Sequence, residues 1–193
     1  MNYLVHLYLS TPGPLVRLGN LMGDFVKGRL ELSGYAGPIL RGLRQHRFVD
    51  SHAASSAAFQ TSVDRLAPEF GRYRPIIVDI AYDHILARHW DCYSQQTLVE
   101  FTAETYQLLT DNDTLLPMAM RSVAKRMIAH DWLTSYRRQE VVATVLHRLG
   151  SRMRRPNPLA EAYDDLVANL DAMQDDCHTY LQQCRTAVEE SGI

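Results

Sequence analysis

Apolar residues recur every three to four positions along most of this chain, and stretches of strict apolar–polar alternation are scarce. Pro38 stands near the start of a helix that runs through Leu40, Leu43, Phe48 and Val49 to about Ala54. A second helix is expected over about 56–66, stopping before Pro68. Pro75 opens a third, with Ile76, Ile77, Ile80, Ile85, Leu86 and Trp90 as its apolar body. Four more are expected at about 95–110, 115–130, 132–153 and 158–190, the last set off by Pro156 and Pro158, and a hinge near 131 is left open. Residues 2–10 fit either a short amphipathic helix or an extended buried run. The pattern predicts an all-α protein, one compact helical domain over 1–193.

Composition allows such a core, since 46% of the 193 residues are hydrophobic. Cys92, Cys177 and Cys184 form no CxxC pair, which argues against a disulfide scaffold and for a reducing compartment. The start lacks the pattern of a signal peptide, and no run approaches the roughly eighteen apolar residues of a membrane span. A cytoplasmic protein with no membrane partner is expected. The net charge of −2 conceals a partition. Residues 121–156 carry about seven net positive charges and residues 157–193 about seven net negative ones. Either the two segments dock on each other, or the basic one is a surface for an acidic partner. Nucleic acid is not the expected partner, because no zinc finger, helix-turn-helix or RNA-binding signature accompanies the charge.

Several residues are candidates for chemistry. Asp79 and Asp83 lie one helical turn apart in Asp79-Ile80-Ala81-Tyr82-Asp83-His84, so their carboxylates share a face. They are candidate ligands for a hard cation or, in the plainer reading, a solvated helix face. His84 sits about 100° away, able to orient Asp83, bind metal or do neither. His46 and Asp50 repeat the one-turn spacing and can grip one ion together; a surface hydrogen-bonded pair is the alternative. Asp24 follows Gly19 and Gly23 amid Leu21, Met22, Phe25 and Val26, a setting for a partly buried carboxylate whose geometry Asn20 is placed to hold. His6, one turn from Asn2 if that stretch is helical, lies in an apolar run where a lone histidine is usually a core residue. GxSxG, HExxH and nucleotide-loop glycine motifs are absent, and the literal His130-Asp131 dipeptide reads as a helix end.

Four blocks then carry a resemblance: Asn2-Tyr3-Leu4-Val5-His6-Leu7, Gly19-Asn20-Leu21-Met22-Gly23-Asp24-Phe25, His46-Arg47-Phe48-Val49-Asp50, and Asp79 through Trp90. In this order they closely resemble the bacterial acyl carrier protein phosphodiesterase family, itself similar to the HD-domain phosphohydrolases. The resemblance implies a helical, manganese-supported enzyme, with magnesium as the other ion suited to a carboxylate-rich site. It implies cleavage of the phosphodiester joining 4′-phosphopantetheine to a serine of holo-acyl carrier protein, within lipid metabolism. Carried onto these positions, Asp24, His46, Asp50, Asp79 and Asp83 are the expected metal ligands or their orienters. Asp24, His6 and His84 are the expected catalytic groups. The chain departs from the HD pattern in that Asp83-His84 runs in the reverse order. Two rival readings are an HD-type enzyme acting on a nucleotide and a non-catalytic helical module that binds acidic proteins through 121–156. For the carrier protein, the expected docking residues are Arg121, Lys125 and Arg126, with Arg148, Arg152 and Arg155 at helical spacing beyond them.

Overall fold

The periodicity becomes helix almost everywhere it predicts one. A computed structural model describes residues 3–193; Asn2, and with it the expected turn between Asn2 and His6, lies outside them. The opening run is helical: α1 spans Tyr3–Tyr8 and α2 Pro14–Met22, the latter with a proline in its first turn. The long central pair follows, α3 Gly37–Ser55 and α4 Ala57–Arg65. Ser56 separates them, and its side chain accepts from Phe59 N at 3.4 Å to cap α4. Then come α5 Arg74–Arg88, α6 Leu98–Asp111, α7 Met118–Ala129, α8 Trp132–Ser135, α9 Gln139–Arg152 and α10 Tyr163–Ser191. Among the described residues there is no strand.

One expected helix is two. The 132–153 segment breaks after α8 and restarts at Gln139. The hinge at 131 is real: Asp131 takes a left-handed φ of 43°, which an aspartate tolerates better than most residues. Tyr106 holds it there, donating to Asp131 Oδ1 at 2.9 Å and accepting from Leu133 N at 2.8 Å. The break lets α9 turn back onto α5, and so creates a cleft described below.

The core has α5 at its centre. From Ile77 to Ala87 every residue except Asp79 is buried, so this helix is surrounded on nearly all sides, by α1, α4, α9 and α10. α10 instead buries one stripe, Leu166, Leu170, Met173, Cys177, Leu181 and Val188 among others, at three-to-four spacing. Each such leucine removed from water contributes about 1.5–3 kcal/mol.

The contact that positions the site is the crossing of α2 over α3. It is made by glycines: a Cβ at Gly19 would collide with the Ile39 carbonyl, and one at Gly42 with the Val16 carbonyl. Backbone therefore lies on backbone. The segment 19–24 is pressed against the middle turns of α3, where Gln45, His46 and Asp50 lie.

The two oppositely charged segments, 121–156 and 157–193, are not tied together by ion pairs among the described residues. Asp176 of α10 pairs with Arg65 Nε at 2.7 Å and accepts from Ser62, and Asp165 accepts from Ala67 N at 3.1 Å. The acidic helix thus anchors on α4 and the turn after it.

Candidate metal centre

Three side chains from two helices converge. On α1, His6 is buried, and its Nε2 lies 3.2 Å from Asp50 Oδ1. On α3, His46 is also buried, with Nε2 at 3.4 Å from Asp50 Oδ2 and 3.9 Å from Asp24 Oδ1. The two imidazoles stack, centroids 3.9 Å apart and planes 17° from parallel. One ligand atom from each of His6, His46 and Asp50 falls within a 4.8 Å span, and His46 Nε2 makes no hydrogen bond despite its burial. Two imidazole nitrogens and a carboxylate at that spacing fit a divalent cation.

Each histidine is held by neighbours that pack because the glycines allow it. Asn20 Oδ1 lies 3.1 Å from His6 Nδ1, and its Nδ2 donates to the His6 carbonyl at 3.0 Å and to Gln45 Oε1 at 3.2 Å. With Asn20 Oδ1 accepting, His6 carries a proton on Nδ1, and Nε2 is the ring nitrogen that faces Asp50. Gln45 Oε1 also takes Thr11 N at 3.2 Å. The His46 ring occupies the space a Cβ on Gly23 would fill, so residue 23 must be glycine for the ring to lie there.

Burial first, then the neighbouring His6, depress the His46 pKa to about 4 against the pull of Asp50 and Asp24. The ring is accordingly neutral at physiological pH, the state in which its nitrogen can bind a cation. Burial alone would raise the Asp50 carboxyl, but the hydrogen bond from His6 and the two imidazoles carry it below the ordinary range. Asp50 remains 58% exposed, so solvent reaches the centre from its side.

The other predicted residues fall into two groups. Asp24 stands at the rim, 29% exposed and near His46. Asp79 is partly exposed and lines a cavity of about 240 Å³ together with Asp50; burial raises its carboxyl pKa and the nearby His6 lowers it. Both are within the electrostatic reach of the cluster. Asp83 and His84 are placed elsewhere. Asp83 is fully buried and accepts from Val5 N at 2.9 Å, capping the first turn of α1, with its carboxyl pushed up to about 8 chiefly by burial. His84 is buried against the α8–α9 break, its Nδ1 2.7 Å from the Tyr136 carbonyl.

Sequence reasoning missed Gln45. It is a polar residue on a helix whose neighbours are polar too, and nothing in the pattern marks it as buried. Asn20 was expected to steady Asp24, and the structure instead gives it His6 and Gln45. Of the proposed docking residues, Arg121 has its guanidinium on the carbonyls of Leu116 and Thr114 at 3.1 and 3.0 Å, tying down the turn before α7.

A profile described as acyl carrier protein phosphodiesterase matches residues 1–184. The chain belongs to that family. An acyl carrier protein phosphodiesterase of Pectobacterium atrosepticum is 34% identical over 167 residues, 86% of each chain. Proteins of the same description from Escherichia coli O6:H1 and Enterobacter sp. strain 638 are 30% and 28% identical, each over 179 residues and 90% of both chains. No solved structure matches. Family membership and the His6/His46/Asp50 cluster together support a metal-dependent hydrolase at the family level. No helix among the described residues is long and apolar enough to cross a membrane.

Proposed function

We propose that this chain hydrolyses the phosphodiester between 4′-phosphopantetheine and a serine of holo-acyl carrier protein, with Mn²⁺ as its ion and Mg²⁺ as a substitute. The observation that carries the reading is the convergence of His6, His46 and Asp50 from separate blocks of the chain onto one small volume, in a member of this family. An all-helical frame around a His/His/Asp cluster also favours kinship with the HD-type phosphohydrolases.

His6, His46 and Asp50 would hold the ion, with Asp24 or Asp79 completing the set. A bound divalent ion supplies Lewis acidity toward the phosphoryl oxygens and a water of lowered pKa. The chain's own groups do the rest. Asn20 fixes the His6 tautomer through Nδ1, and Gln45 fixes Asn20. Asp24, at the rim and within 3.9 Å of His46, is placed to take the proton from the attacking water. The P–O bond to serine breaks, the serine oxygen gains a proton, and the products are apo-carrier protein and 4′-phosphopantetheine. The basic segment 121–156 is suited to an acidic carrier protein.

The test is incubation of the purified chain with holo-carrier protein and Mn²⁺, following the carrier's mass. Loss of the prosthetic group, abolished by chelation and by Asp24→Ala in a protein of unchanged helicity, is the expected result. An intact carrier with Mn²⁺ bound would overturn the reading.

A further inference from the structure

A second cavity, larger than the one that Asp50 and Asp79 line, lies beside the metal cluster and not in it. It encloses about 330 Å³ between α1, α5, α8 and α9, at the lower end of the range for small-molecule sites. Its floor is Tyr3 and Ile80, on the two helices that carry His6 and Asp79. Tyr3 joins the two regions electrically: burial raises its hydroxyl pKa most, Asp24 raises it further and Arg152 opposes both. The far wall is one face of α9, apolar at Val141, Val145 and Leu149 and cationic at Arg148 and Arg152. Arg138 stands at the entry to α9.

Two features of this wall lack an explanation within the protein. No ion pair or hydrogen bond among the described residues engages the guanidinium of Arg138, Arg148 or Arg152, although all three line one cleft. Among the described residues the lining also contains no carboxylate to balance them. Three like charges around one concavity repel each other. An anion with several acceptor oxygens in the cleft would offset that repulsion.

We propose that this cleft is a binding site for a phosphate monoester with a chain-like, partly apolar substituent, the arginines taking the phosphate and the apolar face of α9 the chain. The choice of phosphate rests on the phosphodiesterase reading; the demand for an anion does not. Hydrolysis of a diester turns a singly charged phosphate into a monoester of charge about −2 near neutral pH, which three guanidiniums favour. The cleft would thus discriminate product from substrate, and hold the former next to the centre that made it.

The full chain would be titrated with hexyl phosphate, methyl hexyl phosphate, hexanol and inorganic phosphate, with and without Mn²⁺. Trp132 emission is the signal, because Trp90 is buried with its N–H held by the Gln96 carbonyl at 2.7 Å. Calorimetry gives a second readout. The monoester is expected to bind about tenfold more tightly than the diester, with or without Mn²⁺, and better than either fragment. Arg148→Glu with Arg152→Glu, both exposed and outside the metal cluster, should weaken it at least about tenfold with helicity unchanged. Equal binding of monoester and diester, or unchanged affinity in the double variant, would overturn the proposal. Binding without carrier hydrolysis would support the cleft and defeat the phosphodiesterase; hydrolysis without binding would do the reverse.

Discussion

The middle of α3 and the middle of α5 begin as the same motif. Each offers two polar groups one turn apart, His46 and Asp50 in one, Asp79 and Asp83 in the other. They end in opposite electrostatic states. Asp50 lies between two imidazoles, keeps contact with water and has its carboxyl held below the ordinary range. Asp83 sits in the core and is pushed up to about 8 by burial despite the amide of Val5. Spacing along a helix puts two groups on one face. What that face meets decides whether they hold an ion, cap a helix or face water. α3 meets α1 and the glycine crossing with α2, whereas α5 is enclosed.

The largest test of this contrast is on α3. His46→Ala or Asp50→Ala is expected to cut metal-dependent hydrolysis by about 10³-fold or more and to abolish Mn²⁺ binding by calorimetry, since each removes a ligand. Retained Mn²⁺ affinity in a folded His46→Ala protein would move the centre elsewhere. Next comes the crossing. Gly42→Ala places a methyl group on the Val16 carbonyl and should cost about 1–3 kcal/mol in urea denaturation, with weaker metal binding as the 19–24 segment is displaced. Unchanged stability and affinity would show that the two helices can part without loss.

The third prediction concerns Asp83. Its folded pKa of about 8 lies above the ordinary 3.8, so the folded protein binds the proton more tightly than the unfolded chain. Stability from this residue is full below about pH 4 and drains away as pH rises to about 8, at no more than about 1.4 kcal/mol per pH unit. Asp83→Asn keeps an acceptor for Val5 N and cannot ionise. It should flatten the stability profile between about pH 4 and 8 while leaving Mn²⁺ affinity within about twofold. A wild-type slope that survives in the variant would assign it to other groups. The smallest effect is expected at His84, whose ring meets the Tyr136 carbonyl and not the cluster. His84→Gln should change carrier hydrolysis by less than about threefold. A loss near that of His46→Ala would place His84 among the catalytic groups.

The helical starts near Pro38 and Pro75 were legible because proline in a first turn and a three-to-four apolar period are local signals. His46 and Asp50 were legible as a pair for the same reason. The kinship of His6 with them was not, since forty residues and a helix crossing intervene, and only the resemblance to a family proposed it. The break at Asp131 left a weak trace, and its consequence, an arginine-lined cleft, left none: helical spacing marks Arg148 and Arg152 as a basic docking stretch, not as the wall of a cavity.

By itself, then, the order of residues determined which segments coil, which face of each is apolar, and which polar groups share a turn, because these depend on neighbours a few positions away. Only the tertiary structure decided that Asn20 would orient His6, that Asp83 would be a buried cap and Asp50 a wetted carboxylate, and that Arg148 and Arg152 would line one concavity with Arg138. Dielectric surroundings and the approach of distant side chains set those outcomes, and both come into being only when the helices pack.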